Sequence, residues 1–173
     1  GSHRTGVKNA EEALALAEVI LQCGDALCLC GAQTYLGHVQ HITNLEERHR
    51  VSGEGIEKGY KILKRLREDG RFGELPVHTG TGTGTHEDDA RNDMITEIQP
   101  GSYCLMDVEY RMIEWENRFW HDNIPLTLLT SIVSNKHFPH HITVDAGWKA
   151  TYLFPHAPNY VVPPPHMPSH VSM

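Results

Sequence analysis

The sequence predicts an α/β chain that gives way to strands alone towards its C-terminal end. Two helical stretches with clear start signals alternate with short apolar runs through the N-terminal part. From Leu126 onward, β-branched runs follow one another with no helical spacing between them. Alternation of the first kind builds βαβ units around a parallel sheet, and strands in succession build a separate β segment. We therefore expect an α/β part over residues 1–111. Residues 112–173 should hold a connecting segment, a small β part and a Pro- and His-rich tail.

The elements follow in order. Asn9 is a candidate N-cap with Glu12 three residues later, a capping-box arrangement. Behind it Ala13, Leu16, Ala17 and Ile20 recur at the spacing of one helix face, so residues 9–22 should form an amphipathic helix. The apolar run over residues 26–34 reads as a buried strand that leaves through "YLGHVQH". Asn44 with Glu47 repeats the capping signature and opens a helix to Asp69. Ile56, Tyr60 and Leu63 should be its buried stripe, Gly53, Gly55 and Gly59 weaken its first half, and Gly70 closes it. Residues 75–79 form the next short strand. Residues 95–98 and 103–107 are two further strand-like runs with "QPGS" between them. "LTLLTSIVS" and "HITVDAG" are the strands of the β part.

Composition narrows the function classes. A chain of 173 residues with 39% apolar content can bury a core of its own. A net charge of -7 works against a nucleic-acid partner held by phosphate attraction. The basic residues of 58–67 are interleaved with acids on a helix, which predicts a solvated face. No apolar run reaches the ~20 residues of a membrane span, and no secretory leader is visible. Cys23, Cys28, Cys30 and Cys104 make no zinc pattern. Cys28 and Cys30 alternate in a strand-like run and should point to one side. The four are expected to be buried, reduced thiols of a cytoplasmic protein.

Three stretches carry candidate chemistry. "HTGTGTGTHEDD", residues 78–89, is neither a Walker loop, for want of a lysine, nor a dinucleotide fingerprint, since Glu87 holds the third glycine's place. Glycines directly after a parallel strand let backbone N–H groups close on an anion, and threonine hydroxyls add donors. A low-complexity linker is the competing reading. If an anion binds, Glu87, Asp88 and Asp89 should face solvent. "EIQPGSYCLMD" offers a second turn at a strand end, with Gly101, Ser102 and Tyr103 as donors, or simply a β-turn. "QTYLGHVQH" places Tyr35 and His38 just past a buried strand, where His38 could bond a ligand oxygen or act as an acid or base. A loop histidine satisfied by backbone is the alternative. His137, His140, His141, His166 and His170 invite a metal reading, with surface histidines as its rival.

Taken in order, "HRTGV", "EEALALA", "GAQTYLGHVQH", "TGTGTGT", "TEIQPGSYCLMD" and "ITVDAGWKA" resemble the D-threonine aldolase and D-serine dehydratase-like family. Its members are fold-type III pyridoxal-phosphate enzymes with an alanine-racemase-like (β/α) barrel and a β domain. The resemblance runs from residue 1 to about Tyr152. It implies a partial TIM-like barrel, the second half of the alanine racemase type, followed by strands of an incomplete C-terminal β domain. It also implies pyridoxal phosphate as cofactor and a small D-amino acid, such as D-threonine or D-serine, as substrate. By motif, Arg4 matches the family's arginine near the cofactor ring, and Tyr35 and His38 match its Y-x-G-H segment. Thr83, Gly84 and Thr85 match the Gly-Thr phosphate loop, and Gly101, Ser102 and Tyr103 match the second phosphate turn.

The departures shape the expectation. The family's Schiff-base lysine lies at the end of the first barrel strand, and none of Lys8, Lys58, Lys61, Lys64, Lys136 and Lys149 takes that place. The family's zinc or manganese site uses a "P-x-H-x-C" context. "PSHVSM" resembles it with His170 at the ligand position, but Ser172, a poor ligand for either metal, replaces the cysteine. The expectation is a fragment or shortened relative of a D-amino-acid lyase, without turnover by itself. The alternative is a non-catalytic half-barrel that binds a phosphate ligand, pairs with a missing half or self-associates as a homo-oligomer.

Overall fold

The computed structural model of the chain describes residues 5–117, 119, 125, 128–147 and 150. The chain divides into two units, Gly1–Leu126 and Thr127–Met173.

In the first unit, strands β1 (Gly31–Thr34), β2 (Val77–Gly80) and β3 (Glu97–Ile98) form a parallel sheet in that order. Thr34 lies opposite Gly80, and Gly80 opposite Ile98. The C-terminal ends of all three strands therefore finish side by side. Helix α1 (Ala10–Gln22) precedes β1, and α2 (Leu45–Asp69) links β1 to β2. The α/β class read from the sequence is the class observed.

Both capping signatures act as expected. Asn9 Oδ1 accepts the Glu12 N–H at 2.9 Å, and Asn44 Oδ1 accepts the Glu47 N–H at 2.9 Å. Each satisfies a helix-end donor that would otherwise need water. Gly70 ends α2 at φ 75°, the left-handed cap that glycine takes without a Cβ penalty. Ala13 and Ala17 of α1 pack on Leu63 and Leu66 of α2, with Phe72, Leu75, Leu29 and Ala32 completing the core. Lys58, Lys61 and Lys64 are exposed, and Lys61 pairs with Glu57 at 2.8 Å, so this part of the basic stretch is a solvated face, while Arg67 turns inward and donates to the Leu75 carbonyl at 2.8 Å. A Cβ on Gly59 would stand 1.9 Å from Thr34 Oγ1. The residue that weakens the helix locally is what lets α2 lie against β1.

Several expectations are corrected. Only Gly31–Thr34 of residues 26–34 is strand, and Leu27 is 55% exposed. Among the described residues β1 pairs only with β2, so its outer edge has nothing to bury it. Cys28 and Cys30, just ahead of this strand, are exposed rather than buried, as are the free thiols of Cys23 and Cys104. Cys28 and Cys30 do face one side, with their Sγ atoms 3.7 Å apart. Residues 103–107 are not a strand. Ser102–Cys104 is a 3-10 turn, in which the Leu105 and Met106 N–H groups both return to the Ser102 carbonyl. Asp107 then caps helix α4 (Val108–Arg111) by accepting the Tyr110 N–H at 2.9 Å.

The second unit holds the antiparallel pair β4 (Ile132–Ser134) and β5 (Thr143–Val144). Asp145 accepts the Thr130 hydroxyl at 2.6 Å and the Ser131 N–H at 2.9 Å, which holds its carboxyl below the usual aspartate range. No helix among the described residues is long and apolar enough to cross a membrane.

Candidate functional site

Because the three parallel strands end together, the segments that leave them meet. They border an open cavity of about 370 Å³. Gln33 and Tyr35 line it from β1 and its exit, and Gly82 and Thr83 from the segment after β2. Gln99, Gly101 and Ser102 come from the segment after β3, and Tyr110 from α4. The two turns singled out in the sequence thus face one space. Among the described residues its lining has no charged side chain.

The Gly-Thr turn is a built structure and not a linker, since every residue from Thr81 to His86 is buried. Thr81 takes φ 72°, a conformation that costs a β-branched residue about 1–3 kcal/mol and persists only where surroundings fix it. Those surroundings are polar. Gly84 N–H donates to Gln40 Oε1 at 2.9 Å, and Gln40 Nε2 donates to Thr85 Oγ1 at 3.2 Å and to the Leu36 carbonyl at 3.3 Å. The Thr85 hydroxyl donates to Asp89 Oδ2 at 2.5 Å, and the Ser52 hydroxyl to Asp89 Oδ1 at 2.8 Å. Asp89 sits at the end of the short helix α3 (His86–Asp89) and is buried, which corrects the expectation that it faces solvent. Burial pushes its carboxyl above the ordinary aspartate value, and the two hydroxyl bonds only partly offset the shift.

Arg48, fully buried on α2, clamps the same region. Its Nε donates to the Gly84 carbonyl at 2.7 Å and its Nη1 to the Ile42 carbonyl at 2.6 Å, while Nη2 reaches the Glu114 carbonyl. One guanidinium therefore ties the Gly-Thr turn to the loop after β1 and to the segment after α4. Burial lowers its pKa, with Glu114 and Glu87 opposing that shift. Behind the sheet, His78 Nδ1 lies 2.5 Å from the Met94 carbonyl and Nε2 2.9 Å from Thr34 Oγ1. A carbonyl can only accept, so Nδ1 carries the proton and Nε2 accepts from the threonine. Burial lowers the His78 pKa and keeps the ring neutral.

On the cavity side, Tyr110 is buried and its phenol is pushed up to about 12, by burial first and then by Tyr35 and Asp107, against a bond with Thr83. At neutral pH it is a fixed hydroxyl. Gln33 Nε2 donates to Gln99 Oε1 at 2.6 Å across the floor. Among the described residues no hydrogen bond engages the backbone N–H of Gly82, Thr83, Gly101 or Ser102. Four amides beside one uncharged cavity are a donor set without an acceptor, and its chemical match is an anion.

The expected site residues divide accordingly. Tyr35, Thr83, Gly101 and Ser102 line the cavity. Gly84 and Thr85 stand behind it, engaged with Gln40 and Asp89. Tyr103 is half-exposed beside the turn, its ring 6.4 Å from that of His86. His38 is exposed on the 3-10 turn Gly37–Val39 and does not line the cavity. Arg4, Lys149, His170 and Ser172 lie outside the described residues. No group of three or more His, Cys, Asp or Glu side chains among the described residues could hold a metal ion. Sequence reasoning passed over Gln33, Gln40, Arg48, Gln99 and Tyr110. A signal existed for Arg48 alone: with Ser52 it extends the Ile56–Leu63 stripe of α2 by one and two turns.

No family model matches the chain. It is 36% identical over 153 residues to a D-threonine aldolase of Arthrobacter sp, across 87% of this chain and 38% of that protein. It is 30% identical over 161 residues to a 3-hydroxy-D-aspartate aldolase of Paracoccus denitrificans (strain Pd 1222), across 87% of this chain and 39% of that protein. The crystal structure of the D-threonine aldolase from Filomicrobium marinum matches with a TM-score of 0.68 at 27% identity, over 86% of this chain and 38% of that one. The chain spans about two fifths of the length of the relatives it matches. The resemblance carried by the motifs is real at the level of whole-sequence and structural comparison.

Proposed function

We propose, taking the chain as a relative of the D-threonine aldolases, that it supplies the phosphate-gripping part of a pyridoxal-phosphate-dependent D-amino-acid lyase. In this reading β1, β2 and β3 are consecutive strands of a (β/α) barrel over residues 1–111, and residues 112–173 lead into a β domain. The observation that carries it is the meeting of two turns, after β2 and after β3, at one cavity with four unengaged amides. Such ends of parallel strands are where cofactor phosphates sit in this architecture.

The donor set fits that cofactor. Its phosphate would take the amides of Gly82, Thr83, Gly101 and Ser102 with the Ser102 hydroxyl, and no carboxylate lines the cavity to repel it. Bound pyridoxal phosphate supplies an electron sink for cleaving the Cα–Cβ bond of a β-hydroxy-D-amino acid, or for eliminating water from D-serine. The chain's own residues bind and orient. Tyr110, protonated at neutral pH, donates without adding charge, and Tyr35 closes the β1 side. Of the described lysines, none lines the cavity. In this reading the chain alone binds the cofactor but does not turn it over. Zinc or manganese at His170, and a cytoplasmic location, belong to the same reading, and no step is routed through the metal.

The test compares pyridoxal phosphate with pyridoxal by calorimetric titration, with inorganic phosphate as competitor. Tighter binding of the phosphorylated form, displaced by phosphate, is expected. Equal affinity for both forms would end the phosphate reading. D-Threonine or D-serine with added cofactor and manganese or zinc should give neither glycine plus acetaldehyde nor pyruvate. Turnover that Lys149→Ala abolishes would overturn the inactivity.

A further inference from the structure

Two glycines of the Gly-Thr turn have a common neighbour. A Cβ on Gly82 would meet the Gln40 side-chain oxygen at 2.6 Å, and a Cβ on Gly84 would meet the Gln40 backbone oxygen at 2.0 Å. The turn is moulded onto this one residue. Gln40 is 2% exposed, and its amide uses both of its ends. The oxygen takes the Gly84 N–H and the nitrogen gives to Thr85 Oγ1 and the Leu36 carbonyl. Both contacts turn polar groups of residues 84 and 85 away from the cavity, leaving Gly82 and Thr83 to face it.

We infer that Gln40 is the positioning residue of the anion site: by holding the Gly84 amide and the Thr85 hydroxyl from behind, it aims the Gly82 and Thr83 amides into the cavity. The inference rests on the phosphate reading above and names a residue that reading does not contain. A second consequence is physical. Gln40 lies on the segment that leaves β1 and carries Tyr35, so the β1 exit and the β2 exit are fixed to one another through this side chain. Glutamine is suited to the task where glutamate is not. A carboxylate there could still accept from Gly84, but could not donate to Thr85, whose hydroxyl proton already points to Asp89.

The test uses the full chain with Gln40→Leu and Gln40→Glu. Binding of pyridoxal phosphate should weaken at least about tenfold in both, a loss of about 1.4 kcal/mol, while pyridoxal binds within about twofold of wild type, the range left by the unchanged Tyr35 and Tyr110 contacts. Gln40→Glu should recover relative to wild type as the medium is acidified, because the protonated acid regains a donor for Thr85. A purely structural role predicts no difference between the two ligands. Hydrogen exchange supplies a ligand-free readout: the Gly84 amide should lose protection in Gln40→Leu while the α2 amides keep theirs. Wild-type affinity in both variants, or a Gly84 amide still protected in Gln40→Leu, overturns the inference. Failure of wild type to prefer pyridoxal phosphate defeats the phosphate reading, and the aiming role with it. The exchange data then still decide whether Gln40 holds the turn.

Discussion

Gly59→Ala sets two known effects against each other. Alanine gains about 1 kcal/mol of helix propensity over glycine in the interior of α2. Its Cβ would stand 1.9 Å from Thr34 Oγ1 and 3.0 Å from Thr34 Cβ and Cγ2, where ordinary contact begins at 3.4 Å. Either α2 retreats from β1, an overpacking cost of about 1–3 kcal/mol, or Thr34 rotates. Rotation takes the hydroxyl from His78 Nε2 and leaves a buried acceptor without a donor, at about 1–3 kcal/mol. The clash should win, with a net loss of up to about 2 kcal/mol. In urea unfolding, a loss of 2 kcal/mol lowers the midpoint by about 1 M at a slope of about 2 kcal/mol/M. The partner variant is Thr34→Ala. The double variant should cost less than the two single losses added, by about 0.5–3 kcal/mol of coupling. A Gly59→Ala midpoint at or above wild type, or strict additivity with Thr34→Ala, would refute the close approach of α2 to β1.

Three further outcomes follow from the buried polar groups. Arg48→Ala leaves the carbonyls of Gly84, Ile42 and Glu114 without their donor and should cost at least about 1–3 kcal/mol, read as a fall in thermal or urea midpoint together with weaker pyridoxal phosphate binding. His78 has a folded pKa below its unfolded value, so its contribution is intact above the unfolded pKa of about 6.5 and is lost as the pH falls through the folded value. His78→Asn should flatten that part of the stability–pH curve. Asp89 is shifted the other way: its contribution is complete below about pH 3.9 and declines as the pH rises through the folded pKa. Asp89→Asn should therefore gain on wild type between pH 4 and neutrality, roughly the window above an ordinary aspartate pKa, and a gain confined to acid pH would contradict the burial.

What was legible in the sequence was local. Asn9 and Asn44 announce their helices because a cap is a contact within one turn, and Gly70 announces an ending for the same reason. The turns at residues 83–85 and 101–102 were found because glycine-rich segments at strand ends carry a meaning independent of what surrounds them. Gln40, Arg48 and Tyr110 were missed because each acts at long range: Gln40 on residues 84 and 85, Arg48 on Gly84 and Glu114, Tyr110 on Thr83. Nothing near Gln40 or Tyr110 in the chain marks that role, and Arg48 is marked only as a continuation of the α2 stripe. Residues 103–107 misled for the opposite reason. "YCLMD" has the composition of a strand, yet the Ser102 carbonyl captures two following amides and curls it. The burial of Cys28 and Cys30 was inferred from apolar neighbours, which say what a segment prefers and not whether a neighbour is present to cover it.

The thiols of Cys28 and Cys30, 3.7 Å apart beside the open edge of β1, amount to a built-in reporter. Alkylation by a maleimide proceeds at the rate set by exposure and thiolate content, so both exposed positions should label in the chain by itself, Cys30 the more slowly because the bond with Cys28 raises its pKa. Anything that adds a strand to that edge would shield the two together and slow them in step. With Cys23, the remaining exposed thiol, replaced by serine, Cys104 beyond β3 serves as an internal reference. Footprinting of one pair against one distant cysteine thus converts the question of what lies beside β1 into a ratio of two reaction rates, measurable without a cofactor, a substrate or a crystal.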